Sequence, residues 1–210
     1  MCREPQARAS QIEQSVGMHG RPRLVILNGA SCSGKTTIAT AFRDQRAAVG
    51  DFWLSTGIDD YIAKVPAEWR AVGAEKGRFA ANGVRFEATQ EGMEVRVGCV
   101  GRRLFSAYQS GVVAAVRAGL NVIVDELVID KRSWDDWTMA IGDLDHVWVG
   151  VRCSLKVLEE RERTRPHQYA GLARGQAASV HRFARYDFEL DTTAKTKGES
   201  LSDLVRQLGY

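Results

Sequence analysis

Gly29-Ala30-Ser31-Cys32-Ser33-Gly34-Lys35-Thr36 is the stretch of this 210-residue chain with the clearest chemical content, because it fits G-x-x-x-x-G-K-[ST]. The glycines let the backbone bend so that several N–H groups converge on one anion. A helix opening at Lys35 adds the positive end of its dipole and its unpaired N–H groups. Lys35 brings a mobile charge to the β- and γ-phosphates of a nucleoside triphosphate, for binding and for catalysis, and the Thr36 hydroxyl suits Mg²⁺. Thr37, next in the same turn, is grouped with the cofactor-binding positions. A Gly/Ser-rich turn that merely contains a lysine is the alternative. The apolar run Leu24 to Leu27 before the motif and the helical spacing of Ile38 and Phe42 after it favour a P-loop.

Two carboxylates fall where such a loop needs them. Asp125 ends the apolar run Val122-Ile123-Val124, so it is either a Walker B metal ligand or a loop carboxylate capping a helix. Glu126 beside it faces either solvent or a substrate. Asp59 follows the strand expected at 52–56; it is either the group that takes the proton of an attacked hydroxyl or a helix cap. Asp60 is better explained as that cap. Arg161, Arg163, Arg165 and Arg174 lie in a basic segment that reads as irregular over 161–175. They are either lid donors for a transferring phosphoryl group or, with Glu159, Glu160 and Glu162 interleaved, a solvated face. His167 and His181 read as surface or structural, and the tryptophans as core or pocket wall, with Trp69 the one that could face a substrate.

These residues need strand ends to carry them. Strands alternate with helices about five times, which predicts an α/β fold: a parallel sheet with helices on both faces, as in P-loop NTPases of the nucleoside- and shikimate-kinase type. Within it, Val84, Phe86 and Ala88, then Met93, Val95 and Val97, alternate with polar neighbours around Thr89–Gly92, predicting a β-hairpin insertion around 77–98. Leu104, Tyr108, Val112 and Val116 predict a helix over 102–118 with Gly119 at its end. Ser133 with Asp136 suggests a capping box, and Ser154 caps a helix with Leu155 and Leu158 turned inward. Residues 1–22 are polar and aperiodic and read as a mobile extension, with 23–210 as the single kinase domain.

A net charge of +3, of which four arginines against two glutamates place +2 in the first 23 residues, gives no argument for a nucleic-acid or membrane partner. Cys2, Cys32, Cys99 and Cys153 lack metal-ligand spacing, and no apolar run approaches a membrane span, so cytoplasm is the expected compartment. No N-K-x-D guanine signature occurs. Composition leaves oligomeric state open.

From about Arg23 to Thr193 the chain resembles the chloramphenicol phosphotransferase-like family. The carrying stretches are Ile26-Leu27-Asn28-Gly29 with the P-loop, Gly57-Ile58-Asp59, Gly142-Asp143-Leu144-Asp145 running into Val147 to Cys153, Ala170-Gly171, and Tyr186-Asp187 leading to Asp191-Thr192-Thr193. The resemblance implies phosphorylation of a hydroxyl on chloramphenicol or a related antibiotic, with ATP and Mg²⁺. It implies Asp59 as catalytic base, Lys35 and Thr36 on nucleotide and metal, and Arg161 and Arg165 in the lid. The chain departs from the family pattern at Arg165-Pro166-His167-Gln168, in a longer hairpin region and in its N-terminal extension. A kinase of a nucleoside or metabolite alcohol, and a regulatory module that binds nucleotide without catalysis, are the alternatives.

Overall fold

All five residues of β1 (Leu24–Asn28) are buried, four of them apolar, so the strand needs cover on both faces and neighbours on both edges. The computed structural model, which describes residues 23–72, 75–165 and 170–210, provides both. β1 pairs in parallel with β7 (Asn121–Glu126) and β8 (His146–Arg152), β2 (Trp53–Gly57) pairs with β7, and β9 (Phe188–Asp191) pairs with β8. The order is β2-β7-β1-β8-β9, all parallel, as the alternation of elements predicts.

Because side chains alternate across a strand, Leu24 and Ile26 face one layer and Val25 and Leu27 the other. The first layer comprises α3 (Cys99–Arg117) and α4 (Lys131–Ile141), which bring Tyr108, Val112, Trp137 and Ile141 onto Val122, Val124 and Trp148. The second comprises α1 (Lys35–Ala48) and α7 (Lys197–Gln207), packing Ile38, Phe42 and Leu204 on Ile123, Val149 and Val151. A short α2 (Ile58–Ala63) continues β2, and α5 (Leu155–Thr164) and α6 (Leu172–Ala177) lie between β8 and β9 in the chain.

The expected hairpin is present as β5 (Val84–Thr89) and β6 (Gly92–Val97), with Val84 opposite Val97 and Thr89 opposite Gly92. It belongs to a larger insertion. β3 (Arg70–Val72) runs parallel to β5, and β4 (Glu75–Lys76) antiparallel to β3, giving a second sheet in the order β4-β3-β5-β6. The two added strands are too short to show a period in sequence. The hairpin is closed at its open end, where Gly98 N donates to Gly83 O at 2.7 Å.

Several local expectations change. The second strand is displaced by one residue from the expected 52–56, and Phe52 is 62% exposed. The cap of α4 is Asp130, whose carboxylate accepts from Ser133 N at 2.8 Å, so Ser133 lies inside the helix rather than before it. Leu155 is exposed and only Leu158 of the expected pair is buried. The segment 161–175 is not irregular throughout: its ends are the last turn of α5 and the start of α6. The extension over residues 1–22 and His167 lie outside the described residues.

Candidate functional site

The P-loop connects β1 to α1 at the carboxyl end of the sheet, where open α/β folds bind ligands. Gly34 takes φ +99°, a conformation that strains any side chain, and the same is true of Cys32 at φ +64°. Gly34 is the N-cap of α1 and offers no side-chain cap, so the N–H groups of the first helical turn are left for an anion. Lys35 folds back over the loop, donating to Ala30 O at 3.0 Å, and its ammonium lies 3.5 Å from Asp125 Oδ1. Thr36 Oγ1 donates to Asp125 Oδ2. Thr36 and Thr37 are exposed at the loop mouth, whereas Cys32 and Ser33 are buried.

Asn28, wholly buried at the end of β1, anchors the base of the loop. Its Oδ1 accepts from Val128 N at 2.9 Å, and its Nδ2 donates to Val180 O at 2.9 Å and Tyr186 Oη at 2.7 Å. Tyr186 Oη, accepting there, has its own proton for His181 Nδ1 at 2.6 Å. Burial, helped by Arg152, pushes the His181 pKa down to about 4, so this imidazole is a neutral structural acceptor.

Asp59 on α2 lines a cleft with Ser31, Lys35, Thr36, Asp125 and Arg165. Burial, then Asp125, raises the Asp59 pKa, while Lys35 and Arg165 oppose the shift. Asp59 is exposed, so water from the cleft reaches its carboxylate. Asp60 points away and accepts from Gly57 N at 3.0 Å, closing the start of α2 from its third position. The rest of the lining is mixed: Ile58 and Ile62 of α2, Phe86 and Val95 of the inserted sheet, Phe105 and Leu172 are apolar, and Glu126 and Gln176 are polar. The insertion thus contributes to the lining of the cleft that the P-loop opens into.

Glu126 faces neither solvent nor an open surface. It is 4% exposed at the cleft floor, accepting from Leu127 N at 2.7 Å and Trp137 Nε1 at 2.8 Å. Burial raises its pKa to about 7, against the pull of those two donors. The folded state therefore holds this proton more tightly than the unfolded chain, and the contribution is lost as pH rises from about 4.5 to about 7. We expect urea unfolding of the nucleotide-free protein to show stability falling across that window, by up to about 3 kcal/mol from this group. Glu126→Gln should flatten the slope; an unchanged slope would remove the assignment.

The arginines separate. Arg165, at the C-cap of α5, reaches the cleft. Arg161 does not: its guanidinium donates to Cys32 O at 3.3 Å and Thr192 O at 2.8 Å, behind the P-loop. Arg163 is exposed and bonds Glu159 O, and Arg174 pairs with Glu159. Trp69 lines a separate apolar groove with Tyr61 and Leu104, not the cleft. Two further residues touch the loop without having been singled out in sequence. Thr192 Oγ1 donates to Ser33 O at 2.8 Å, and Gln176 Oε1 accepts from Ser31 N at 2.6 Å. Neither has a local motif; Thr192 is flagged only by the Asp-Thr-Thr stretch of the family resemblance.

A phosphate cradle at the first strand–helix junction of a five-stranded parallel sheet, lining one cleft with a carboxylate, defines a P-loop small-molecule kinase. Over residues 22–208 the chain matches the family described as "Chloramphenicol phosphotransferase-like protein", and it belongs to that family. It is 33% identical over 197 residues to a Mycobacterium tuberculosis (strain ATCC 25618 / H37Rv) protein named "Putative O-phosphotransferase Rv2636", covering 91% of this chain and 83% of that one. Among solved structures, it is similar to a sugar kinase from Janibacter sp. HTCC2649 (TM-score 0.59, 17% identity, 89% of this chain and 94% of that one). It is also similar to the Mycobacterium tuberculosis APS kinase CysC in complex with AMPPNP and APS (TM-score 0.57, 15% identity, 90% and 99%). At these identities the structural likeness establishes the fold.

Proposed function

We propose that the protein transfers the γ-phosphoryl group of ATP to a hydroxyl of a small, largely apolar molecule, with chloramphenicol or a related antibiotic as the leading acceptor. The observation that carries this is the lining of one cleft by Asp59 together with Ser31, Lys35 and Thr36 of the P-loop, with apolar side chains of α2, the inserted sheet and α3 beside them. Loop N–H groups and Lys35 hold the phosphates. Arg165, at the cleft edge, supplies donors for the charge that spreads over the moving phosphoryl oxygens. Asp59 accepts the acceptor's hydroxyl proton as the new O–P bond forms and the bond to the β-phosphate oxygen breaks, leaving ADP. Arg161 supports the loop from behind, and Gln176, in the cleft lining, holds Ser31 N–H.

Thr36 and Asp125 fit Mg²⁺: they are oxygen donors already in contact, and this ion needs only one or two protein ligands when phosphates provide others. When bound, Mg²⁺ offsets phosphate charge. The apolar part of the lining, with Phe86, Val95 and Phe105, suits an acceptor that carries an aromatic or aliphatic face beside the phosphorylated hydroxyl. No helix among the described residues is long and apolar enough to cross a membrane, and dependence on ATP suits the cytoplasm.

Incubation with ATP, Mg²⁺ and chloramphenicol, read by mass spectrometry, should give a product heavier by one phosphoryl group. If another hydroxylated compound is modified instead, the acceptor changes and phosphotransfer stands. No modification across a panel of antibiotics, nucleosides and metabolite alcohols would falsify the reading.

A further inference from the structure

Gln176 joins two parts of the cleft that are far apart in sequence. Its side chain is 6% exposed, and its Oε1 takes the N–H of Ser31 in the P-loop at 2.6 Å. The helix that carries it, α6, is seated directly on the hairpin. Met93 N donates to Gly171 O at 2.9 Å, and Gly92 and Gly175 leave the two backbones no intervening side chain. A Cβ at Gly92 would lie 2.5 Å from Gly171 O and 2.6 Å from Gly175 N, and one at Gly175 would overlap Met93. From the other side, Glu162 on α5 accepts from Gly171 N at 2.9 Å and Ala173 N at 2.7 Å, fixing the start of α6.

Backbone packed against backbone has no side chain to absorb a displacement, so α6 and β6 move together. β6 and its partner β5 carry Val95 and Phe86, which line the same cleft as Ser31, Lys35 and Thr36 of the P-loop. We propose that Gln176 is a positioning residue: it ties the P-loop to α6, and through the glycine contacts it passes the ordering of the loop by nucleotide to the hairpin wall of the acceptor pocket. This rests on the reading of the cleft as a nucleotide and acceptor site. Nucleotide bound at one end thereby stiffens the surface on which the acceptor lies at the other, so the two substrates bind with positive coupling.

Hydrogen exchange with saturating Mg²⁺–AMPPNP tests the tie without needing the acceptor. In the parent protein, amides of 29–37 should be protected, and those of 84–97 should slow by about fivefold or more, the lower end of ordinary site–site coupling. In Gln176→Met, protection of 29–37 should persist while 84–97 returns to within about twofold of its nucleotide-free rate. Gln176→Glu keeps an oxygen for the Ser31 N–H and should keep the hairpin protected wherever 29–37 is protected. Hairpin exchange that ignores nucleotide in the parent overturns the proposal even if the Met variant does not fold. Equal protection in Gln176→Met, or its loss in Gln176→Glu, overturns it as well. Absence of protection at 29–37 in the parent would instead sink the nucleotide reading itself.

Discussion

An Asp59→Asn variant is expected to bind Mg²⁺–ATP as the parent does and to lose about 10²- to 10⁴-fold in kcat, the usual range for a positioned general base. Asparagine keeps the shape of the side chain and cannot take up the hydroxyl proton. Asp59 is carried by α2, outside the P-loop, so the nucleotide-holding groups remain in place. The parent's rate should also carry the base's titration. Burial and Asp125 raise the Asp59 pKa, and the base acts only when deprotonated. Turnover should therefore rise with pH through that elevated value and level off above it, and Asp59→Asn should remove this limb. Retained turnover with unchanged pH dependence would move the base elsewhere. A protein that senses nucleotide without transferring phosphate would show little change in either measurement.

The second large effect is expected from Lys35→Ala. The ammonium bridges the loop carbonyl of Ala30 and the carboxylate of Asp125, so it sits between the phosphate cradle and the metal pair. Its removal takes the only lysine among the described residues of the cleft lining and breaks the ion pair with Asp125. Nucleotide affinity measured by calorimetry and turnover should both collapse, turnover by at least about 10²- to 10³-fold, as for other preorganised charge-stabilising donors. Circular dichroism should show the fold intact, because the β1 and α1 packing does not include the Lys35 head group. The two variants thus separate along the reaction: one loses proton transfer with binding intact, the other loses both.

How much of this was readable in the residues depended on how local each feature is. The P-loop is continuous in sequence, and its flanking strand and helix carry their own periods, so its placement needed no tertiary information. The hairpin was visible for the same reason: Val84, Phe86, Val95 and Val97 alternate around a turn. Asp59 and Asp125 were located by strand ends alone, because β2 and β7 are neighbours and their carboxyl ends open on the same cleft. The family resemblance added an ordering of roles that spacing left open.

What stayed hidden depended on long-range contacts. Gln176 meets Ser31 across 145 positions, and Arg161 meets Cys32 across 129. A run of arginines and glutamates gives no indication of which guanidinium turns toward a carbonyl and which toward a cleft. Only the packing of α5 against the loop and Thr192 decides that Arg161 lies behind and Arg165 in front. Glu126 was undecided because its burial depends on Trp137, eleven residues away on α4, whose indole N–H makes a carboxyl at the cleft floor tolerable. Strands β3 and β4 were missed because two or three residues cannot display an alternation.

The second sheet is built from residues between Pro66 and Gly98, and its hairpin is closed where Gly98 N meets Gly83 O. A cassette attached in this way can change its sequence, or its length, without rethreading the strands that hold the anion cradle. Diversification of what these enzymes accept can therefore proceed by exchange of residues 67–98 while the phosphate chemistry is inherited unaltered. Such an exchange must respect two seams: the glycine-lined contact with α6, and the packing of Val84, Phe86, Val95 and Val97 on the core beside α3.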